Sequence, residues 1–315
     1  MNKKLPKVAL GAWAWGTGSA GGDQIFGHSL GESELKAVFD RAMELGLNLW
    51  DTATVYGMGA SEKILGEFIK DINKDNVIIS TKFTPQLATD SPNTMEETFE
   101  VNLKNLGVDY IDIYWIHNPA DVKKWTEKII PLAKSGKIGM LGLSNHSLEE
   151  IKLAESILAK EGLKVSAIQN HYSLLHRSSE EAGILDYCKK SGIIFFAYMV
   201  LEQGALSGKY TTKNPLPAGS ARAVTYNPLL PEIEKLLPTL KEVADKHDAS
   251  IAQIAVAWAI AKGTLPIIGV TSVAQVEDAA FISKINLSDD EIKKIEEVAK
   301  TLNIKTTREW EKDMK

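Results

Sequence analysis

Four polar residues lie at or just past the ends of short apolar runs, and their chemistries complement one another. Asp51 ends the run NLWD, and Tyr56 follows it closely in DTATVY. Lys82 ends VIISTK, and His117 ends YIDIYWIH. An acid, a phenol, an amine and an imidazole carried by successive strand ends suit proton transfer to a carbonyl oxygen.

The phenol needs its neighbours to work near neutral pH. A free tyrosine has a pKa of about 10, and a nearby ammonium lowers that pKa by favouring the phenolate. We therefore expect Lys82 to tune Tyr56 as a general acid, with Asp51 holding Lys82 charged and in place. His117 would hydrogen-bond the substrate carbonyl and orient it. Side chains do not donate hydride, so reduction of a carbonyl also implies a cofactor.

Each of the four residues also has an ordinary structural explanation. A tyrosine after a strand usually packs, a lysine there usually reaches solvent, and a histidine is more often structural than catalytic. Their joint occurrence on three neighbouring strands favours the chemical interpretation. A metal site built from His117, His171 and Asp51 is disfavoured, because zinc ligands usually show tighter spacing or a cysteine partner.

Short apolar runs alternate with longer amphipathic stretches along the chain. The predicted strands span residues 8–13, 47–51, 76–83, 110–117, 138–145, 165–170, 193–200 and 264–270. The predicted helices span residues 32–46, 61–72, 94–107, 125–136, 147–162, 178–192, 231–247, 251–263 and 273–283. The strands are too apolar to leave one face in water, which indicates a parallel sheet covered by helices.

Eight strand–helix units of this length predict an α/β protein with a closed (β/α)8 TIM barrel. An open doubly wound sheet is the alternative, and it lacks the G-x-G-x-x-G expected after its first strand. We expect residues 1–315 to form a single domain, in which 288–315 add a C-terminal helix over 288–303 and a tail. The tail KTTREWEKDMK is strongly charged, and we expect it to be mostly solvated.

The composition limits the possible partners and compartment. The net charge of −5 gives no basic field for nucleic acid. The single cysteine, Cys188, excludes an intrachain disulfide and fits a reducing compartment. The N-terminus slightly resembles a signal peptide, but Gly11 and Gly16 break its apolar stretch and favour a first barrel strand. No run reaches the ~20 apolar residues of a membrane helix, so we expect a cytoplasmic protein.

Several ordered segments together resemble the aldo-keto reductase superfamily. LNLWDTATVYGMGASEKILGE matches the segment that carries the catalytic acid and tyrosine, STKF the lysine, and DYIDIYWIHNP the histidine. GLSNH, QNHYSLLHR and GALSGKY also resemble family segments, so the likeness runs from the first strand to residue 283. It lies nearer the bacterial and potassium-channel β-subunit-like branch than the aldose-reductase branch. It implies a (β/α)8 barrel that reduces small aldehydes or ketones with NADPH lying across its mouth.

The resemblance also implies which residues bind the cofactor. Ser144, Asn145 and Gln169 would hold the nicotinamide carboxamide, and Tyr198 would stack on the nicotinamide ring. The residues implied for the phosphates and the adenosine end are Lys209 and Arg222, followed by Gly269, Thr271, Gln275 and Asp278. The expected cofactor contacts further include Trp13, Met199, Leu201 and Gln203.

Departures from the family pattern leave the choice of cofactor open. Met199 stands where a small polar residue is usual, and Glu202 puts a negative charge near a diphosphate unless it is turned away or paired. Thr271 occupies a position where many relatives have a lysine or arginine for the 2′-phosphate of NADP. Arg222 remains available to that phosphate. We expect NADP(H), with NAD(H) or dual use as the alternative.

Two other functions compete with an active reductase. One is a regulatory protein that senses a nicotinamide cofactor and keeps only weak reductase activity. The other is a barrel hydrolase, which would need a nucleophile or a carboxylate partner that Asp51 lacks in the sequence. An apolar substrate pocket is also expected at the mouth, lined by some of Trp13, Trp15, Trp50, Trp115 and Trp125, although Trp50 and Trp115 fit the core equally well.

Overall fold

The computed structural model describes residues 3–308, 310–312 and 314, and its centre is a closed barrel of parallel strands. Within the described residues the strands are β1 Ala9–Gly11, β2 Leu49–Asp51, β3 Ile78–Phe83, β4 Ile111–Ile116, β5 Ile138–Ser144, β6 Ala167–His171, β7 Ile194–Tyr198 and β8 Leu265–Gly269. Each strand pairs with the next in sequence, and β8 closes on β1. The predicted (β/α)8 barrel is confirmed.

Helices cover the outside of the barrel and connect its strands. They are α1 Gly22–Phe26, α2 Glu32–Glu44, α3 Ala60–Ile69, α4 Thr94–Leu106, α5 Val122–Lys134, α6 Leu148–Ala159, α7 Ser178–Glu181, α8 Ile184–Ser191, α9 Ala221–Tyr226, α10 Leu230–Ile233, α11 Leu237–Lys246, α12 Ile251–Ala261, α13 Val273–Ile282 and α14 Asp289–Ala299. The predicted helix over 178–192 is broken at Gly183, whose φ of 75° is left-handed. None of the helices in the described ranges is long and apolar enough to cross a membrane.

Sequence signals explain where several of these helices begin. Ser147 caps α6 by accepting from the Glu150 N–H, and the Glu150 carboxylate accepts from the Ser147 N–H in return. The same reciprocal capping box starts α12 and α14. Such caps satisfy backbone donors that would otherwise have no partner in the first turn.

The barrel interior is filled by buried side chains from neighbouring strands, from Ala9 on β1 to Leu265 on β8. Trp115 is fully buried there, packs edge-on against Phe196 and donates from its indole nitrogen to Ser80. Its paired residue on β5 is Gly142. A Cβ there would lie 2.1 Å from the indole ring, so a glycine makes room for the tryptophan. This packed interior leaves the open end of the barrel as the place for a site.

The tryptophans lie mostly in the core, which is the alternative given for Trp50 and Trp115, and fewer of them than expected reach the mouth. Trp15, Trp50, Trp115 and Trp125 are all buried in the core. Trp15 and Trp50 pack against each other with ring centroids 4.9 Å apart. Among the five predicted tryptophans, Trp13 is the one that is not in the buried core, and it lies in the loop after β1.

The C-terminal tail differs most from the prediction. It was expected to be solvated, yet Thr306 and Met314 are buried, with 2% and 6% of their surface exposed. The Met314 N–H donates to Ser178 on α7, so the tail crosses back over the barrel. Burial of Met314 favours packing of the tail over full hydration, and the Trp310 ring contacts Trp13 edge-on although 45% of Trp310 stays exposed.

Candidate active site

Asp51 and Lys82 form a buried ion pair at the carboxyl ends of β2 and β3. The Lys82 Nζ lies 2.5 Å from the Asp51 carboxylate and also donates to the Thr52 carbonyl at 2.8 Å. The second carboxylate oxygen accepts from Ser80 at 2.6 Å and from Gln169 at 3.2 Å. Burial alone would lower the pKa of Lys82, but Asp51 and Tyr56 together outweigh it and hold that pKa above its ordinary value. The lysine is therefore a fixed cation.

Tyr56 lies beside this cation in a 3-10 turn that follows β2. Its hydroxyl is 3.5 Å from the Lys82 Nζ, and its ring stacks on Trp13 with centroids 5.5 Å apart. Gly57 follows with a φ of 57°, and a Cβ there would lie 2.9 Å from the Thr17 carbonyl oxygen. The turn aims the phenol inward because this glycine permits the tight backbone.

The pKa of Tyr56 corrects one expectation. Burial raises it above its ordinary value, the Lys82 ammonium opposes that rise, and Asp51 adds to it. The expected net lowering is therefore wrong, because desolvation outweighs the ammonium. The phenol keeps its proton at physiological pH, as a proton donor must, and the ammonium is placed to stabilise the phenolate left after donation.

His117 completes the group one residue after β4. Its Nδ1 is 2.9 Å from the Thr84 hydroxyl, and its ring meets the Tyr56 ring edge-on with centroids 6.0 Å apart. Burial, and then the Lys82 charge, lower the pKa of His117 well below its ordinary value, so the ring is neutral near pH 7. The structure thus brings together all four residues singled out in the sequence.

The residues expected at the nicotinamide also lie at strand ends on this face. Ser144 and Gln169 are buried on the paired strands β5 and β6, and Gln169 donates its amide to Asp51. Asn145 follows with a left-handed φ of 64°, which turns its side chain toward Tyr198. The Tyr198 hydroxyl is 2.6 Å from the Asn145 Oδ1, and one face of its ring is backed by His171.

The residues expected at the phosphates lie around the loop after β7. Arg222 on α9 donates to the Gln203 carbonyl at 3.2 Å and lies over the rings of Phe26 and Tyr210. Its Nε is buried with no hydrogen-bond partner among the residues that the structure describes. Lys209 is exposed near Tyr210. An anion would supply the hydrogen-bond acceptor that the Arg222 Nε–H lacks.

The residues expected at the adenosine end are more exposed. Thr271 and Gln275 bond each other, with the Gln275 side chain accepting from the Thr271 N–H at 2.6 Å and lying 3.1 Å from its hydroxyl. Asp278 accepts from the Gln253 side chain at 3.0 Å. Gly269 ends β8 at the surface. These positions lie at the end of β8 and in the segment that follows it, where Gln275 and Asp278 are exposed.

Glu202 is turned away from this surface and paired. It is fully buried, and its carboxylate accepts from His171 at 2.8 Å and from Tyr226 at 2.6 Å, with Ser173 also donating. The negative charge that could repel a diphosphate is therefore sequestered. The neighbouring Met199 and Leu201 are half-buried and pack on the core.

Three residues at the mouth were missed because they belong to the tail. The Glu311 carboxylate is 2.7 Å from the Tyr198 hydroxyl and 3.0 Å from the His171 Nδ1. Arg308 donates to the Gln203 side chain at 2.8 Å, and Trp310 meets Trp13 edge-on with centroids 6.0 Å apart. The one sequence feature that could have indicated a contact between the tail and the barrel is a tryptophan inside a charged segment.

A possible metal-binding group lies beside the mouth but has poor geometry for a metal. Side-chain donors of His171, His176 and Glu311 lie within 4.8 Å of one another. The two imidazole rings are parallel within 8° and 4.0 Å apart, so their in-plane lone pairs do not converge on one point. Both nitrogens of His171 are already bonded to carboxylates. The group is better described as an ion-pair network.

Comparisons with known proteins identify the family of the chain. The sequence model of the Aldo/keto reductase family matches residues 7–300. The chain is 30% identical to the chloroplastic pyridoxal reductase of Arabidopsis thaliana over 93% of this chain and 83% of the relative. It is 29% identical to the aldo-keto reductase yakc [NADP(+)] of Schizosaccharomyces pombe over 90% of this chain and 87% of that one.

Solved structures give the same result. A thermostable aldo-keto reductase crystallised with the inhibitor epalrestat superposes with a TM-score of 0.75 at 26% identity. That likeness covers 95% of this chain and 97% of the other. The protein therefore belongs to the aldo/keto reductase family and is an NAD(P)H-dependent oxidoreductase.

Proposed function

We propose that the protein reduces an aldehyde or ketone to an alcohol with NADPH, and that Tyr56 is the general acid. The observation that carries this proposal is the continuous contact from Asp51 through Lys82 to the Tyr56 hydroxyl, at 2.5 Å and 3.5 Å. His117 faces the same phenol. A fixed cation beside a protonated phenol is the arrangement that proton donation to a developing alkoxide requires.

The donors around the mouth fit a nicotinamide dinucleotide. The Tyr198 hydroxyl has one proton but lies within hydrogen-bond distance of two acceptors, the Asn145 Oδ1 at 2.6 Å and the Glu311 carboxylate at 2.7 Å. A carboxamide NH₂ would supply the missing donor to Asn145. The unpartnered Arg222 Nε would meet a phosphate. When bound, such a cofactor supplies the hydride that the side chains cannot.

The side chains then divide the remaining work. Tyr56 gives its proton to the carbonyl oxygen, and Lys82 stabilises the phenolate by its charge. The Thr84 hydroxyl can donate to the His117 Nδ1, and in that tautomer the neutral ring carries its proton on Nε2 and donates to the same oxygen. Both hydrogen bonds therefore stabilise the negative charge that develops on that oxygen during reduction.

The cofactor is proposed as NADP(H) rather than NAD(H). The name of the fission-yeast relative specifies NADP(+), and Arg222 offers a fork-shaped cation for an added phosphate. Comparing kcat/KM for NADPH and NADH tests this choice. We expect NADPH to be favoured, and a preference of about tenfold or more for NADH would contradict it.

A panel of carbonyl compounds tests the reaction itself. Trp13, Phe26 and Trp310 form an apolar wall next to Tyr56, so the panel should include aromatic aldehydes, among them pyridoxal because of the plant relative's name. We expect carbonyl-dependent loss of NADPH absorbance. Tight NADPH binding without turnover of any member would instead favour a cofactor sensor.

A further inference from the structure

The described tail residues 304–308, 310–312 and 314, here called the strap, cross the mouth of the barrel and bond residues of the proposed cofactor site. Arg308 holds the side chain of Gln203 and the hydroxyl of Thr225 at 2.8 Å and 2.6 Å. At the other end the strap is anchored by buried Met314. The strap therefore bridges the loop after β7 and the barrel.

Glu311 is the point at which the strap enters the site. Its side chain is 1% exposed and accepts from the His171 Nδ1 at 3.0 Å and from the Arg308 N–H at 3.0 Å. His171 is itself held from the other side by Glu202 at 2.8 Å. A buried carboxylate is stable only when it is paired. The position of Glu311 is therefore set by His171 on β6, which Glu202 in the loop after β7 holds from its other side.

Glu311 also competes with Asn145 for the proton of the Tyr198 hydroxyl. That hydroxyl is shared between Glu311 and the Asn145 Oδ1, at 2.7 Å and 2.6 Å, with one proton for two acceptors. A nicotinamide carboxamide that donates to Asn145 would leave the Tyr198 proton wholly to Glu311. Carboxamide binding and the Tyr198–Glu311 bond would then strengthen each other, because each removes the competition that the other faces.

We propose that Glu311 is a positioning residue of the cofactor site, which fixes the Tyr198 ring under the nicotinamide and ties cofactor retention to the His171 ion pairs. The proposal rests on the proposed function, since it takes a nicotinamide cofactor as the ligand. Glu311 acts through Tyr198 rather than on the reacting atoms. Cofactor release then returns the Tyr198 proton to competition between Asn145 and Glu311, and losing the strengthened charge-assisted bond slows dissociation.

The test is the substitution Glu311→Gln, which keeps the size and removes the charge. We expect the NADPH Kd to rise about tenfold, mainly through faster dissociation, since bonds to charged groups are stronger than neutral ones. Stopped-flow fluorescence of bound NADPH measures both quantities. The control is Lys312→Gln, which removes a rim contact to Glu150 on α6 and should leave the Kd unchanged.

A pH profile separates positioning from simple structural support. The groups that face His171 are Glu202, Glu311, His176 and Tyr198, and the two carboxylates raise its pKa to about 9 despite its burial. Wild-type Kd should therefore rise as the pH passes about 9 and the imidazolium is lost. That rise should be absent in Glu311→Gln, whose Kd is already weakened.

Three results would overturn the proposal, and they are distinguishable. If Glu311→Gln folds with wild-type thermal stability and binds NADPH within about twofold of wild type at every pH, Glu311 does not position the site. If Glu311→Gln does not fold, the variant Tyr198→Phe is used instead, because it removes the hydroxyl alone. An unchanged NADPH Kd in Tyr198→Phe would also contradict the proposal. If the wild-type protein itself binds no nicotinamide cofactor, the proposed function fails as well.

Discussion

The Lys82 ammonium lies 3.5 Å from the Tyr56 hydroxyl, and its three N–H bonds have three acceptors. The other two are the Asp51 carboxylate and the Thr52 carbonyl. An ammonium with three partners and no exposed surface has one orientation. Lys82 therefore supplies a positive charge at a fixed point beside the phenol, at no cost of reorganisation when the reaction occurs.

Removing that cation should damage both folding and activity. Lys82→Met would leave the buried Asp51 carboxylate without its counter-ion, which typically costs about 3–5 kcal/mol of unfolding free energy. Turnover should be lost because the Tyr56 phenolate would form without a neighbouring charge. Urea unfolding and NADPH oxidation assays measure the two effects.

The double variant Asp51→Leu/Lys82→Met is the control. It removes both charges from a buried site, so it should recover much of the stability lost in Lys82→Met but none of the activity. A double variant that is less stable than the single one would show that the pair does not act as a counter-ion pair.

The pH dependence of stability should report His171. Its pKa in the folded protein is about 9, raised by Glu202 and Glu311 above the ordinary 6.5. The folded state therefore holds this proton more tightly than the unfolded state does. The resulting stability, at most about 3 kcal/mol, is complete below pH 6.5 and is lost as the pH rises through about 9.

Urea unfolding of wild type and His171→Gln at a series of pH values checks this prediction. The difference between the two curves cancels titrations that both proteins share, and it should shrink steadily from pH 6.5 to 9. Parallel curves over that range would mean that His171 is not a buried imidazolium.

Arg222 should contribute to cofactor affinity through its charge. Arg222→Met should raise the NADPH Kd about ten- to a hundredfold, as expected for loss of a charge-assisted hydrogen bond of about 1.5–3 kcal/mol. The loss should be larger for NADPH than for NADH if the guanidinium meets the 2′-phosphate. Isothermal titration with both cofactors measures it.

Lys209→Met provides a matched loss of one positive charge from an exposed side chain in the same region. Its effect should be smaller and more sensitive to salt, since exposed charges are screened. Equal effects of the two substitutions on both cofactors would indicate a non-specific electrostatic attraction rather than a phosphate contact by Arg222.

Local sequence patterns were sufficient for the barrel and for the four residues of its mouth. Lys82 and His117 lie at the ends of apolar strands, and parallel strands place their carboxyl ends on one face. The pattern could not separate Trp13 from Trp50, because a tryptophan near a strand end suits the pocket and the core equally. Only the packing of Trp50 against Phe39 and Trp15 decides that question.

The burial of the strap could not be predicted from local sequence patterns, for a physical reason. Its sequence is charged, and charge usually indicates solvation. Glu311 is buried because His171, 140 residues earlier in the chain, offers it a cation. The sign of the Tyr56 pKa change was missed similarly, since it depends on how much burial competes with Lys82. Both outcomes depend on tertiary contacts that have no local signature.

Tyr56 is proposed as the proton donor, and the substitution Tyr56→Phe removes the group that would donate. The substitution removes one hydroxyl and keeps the ring that stacks on Trp13. We expect kcat to fall about a hundredfold or more, the typical contribution of a general acid, with an NADPH Kd within about twofold of wild type. Tyr110→Phe, just before β4 and at the opposite end of the barrel, should retain full activity. Undiminished carbonyl turnover by Tyr56→Phe would rule out Tyr56 as the proton donor.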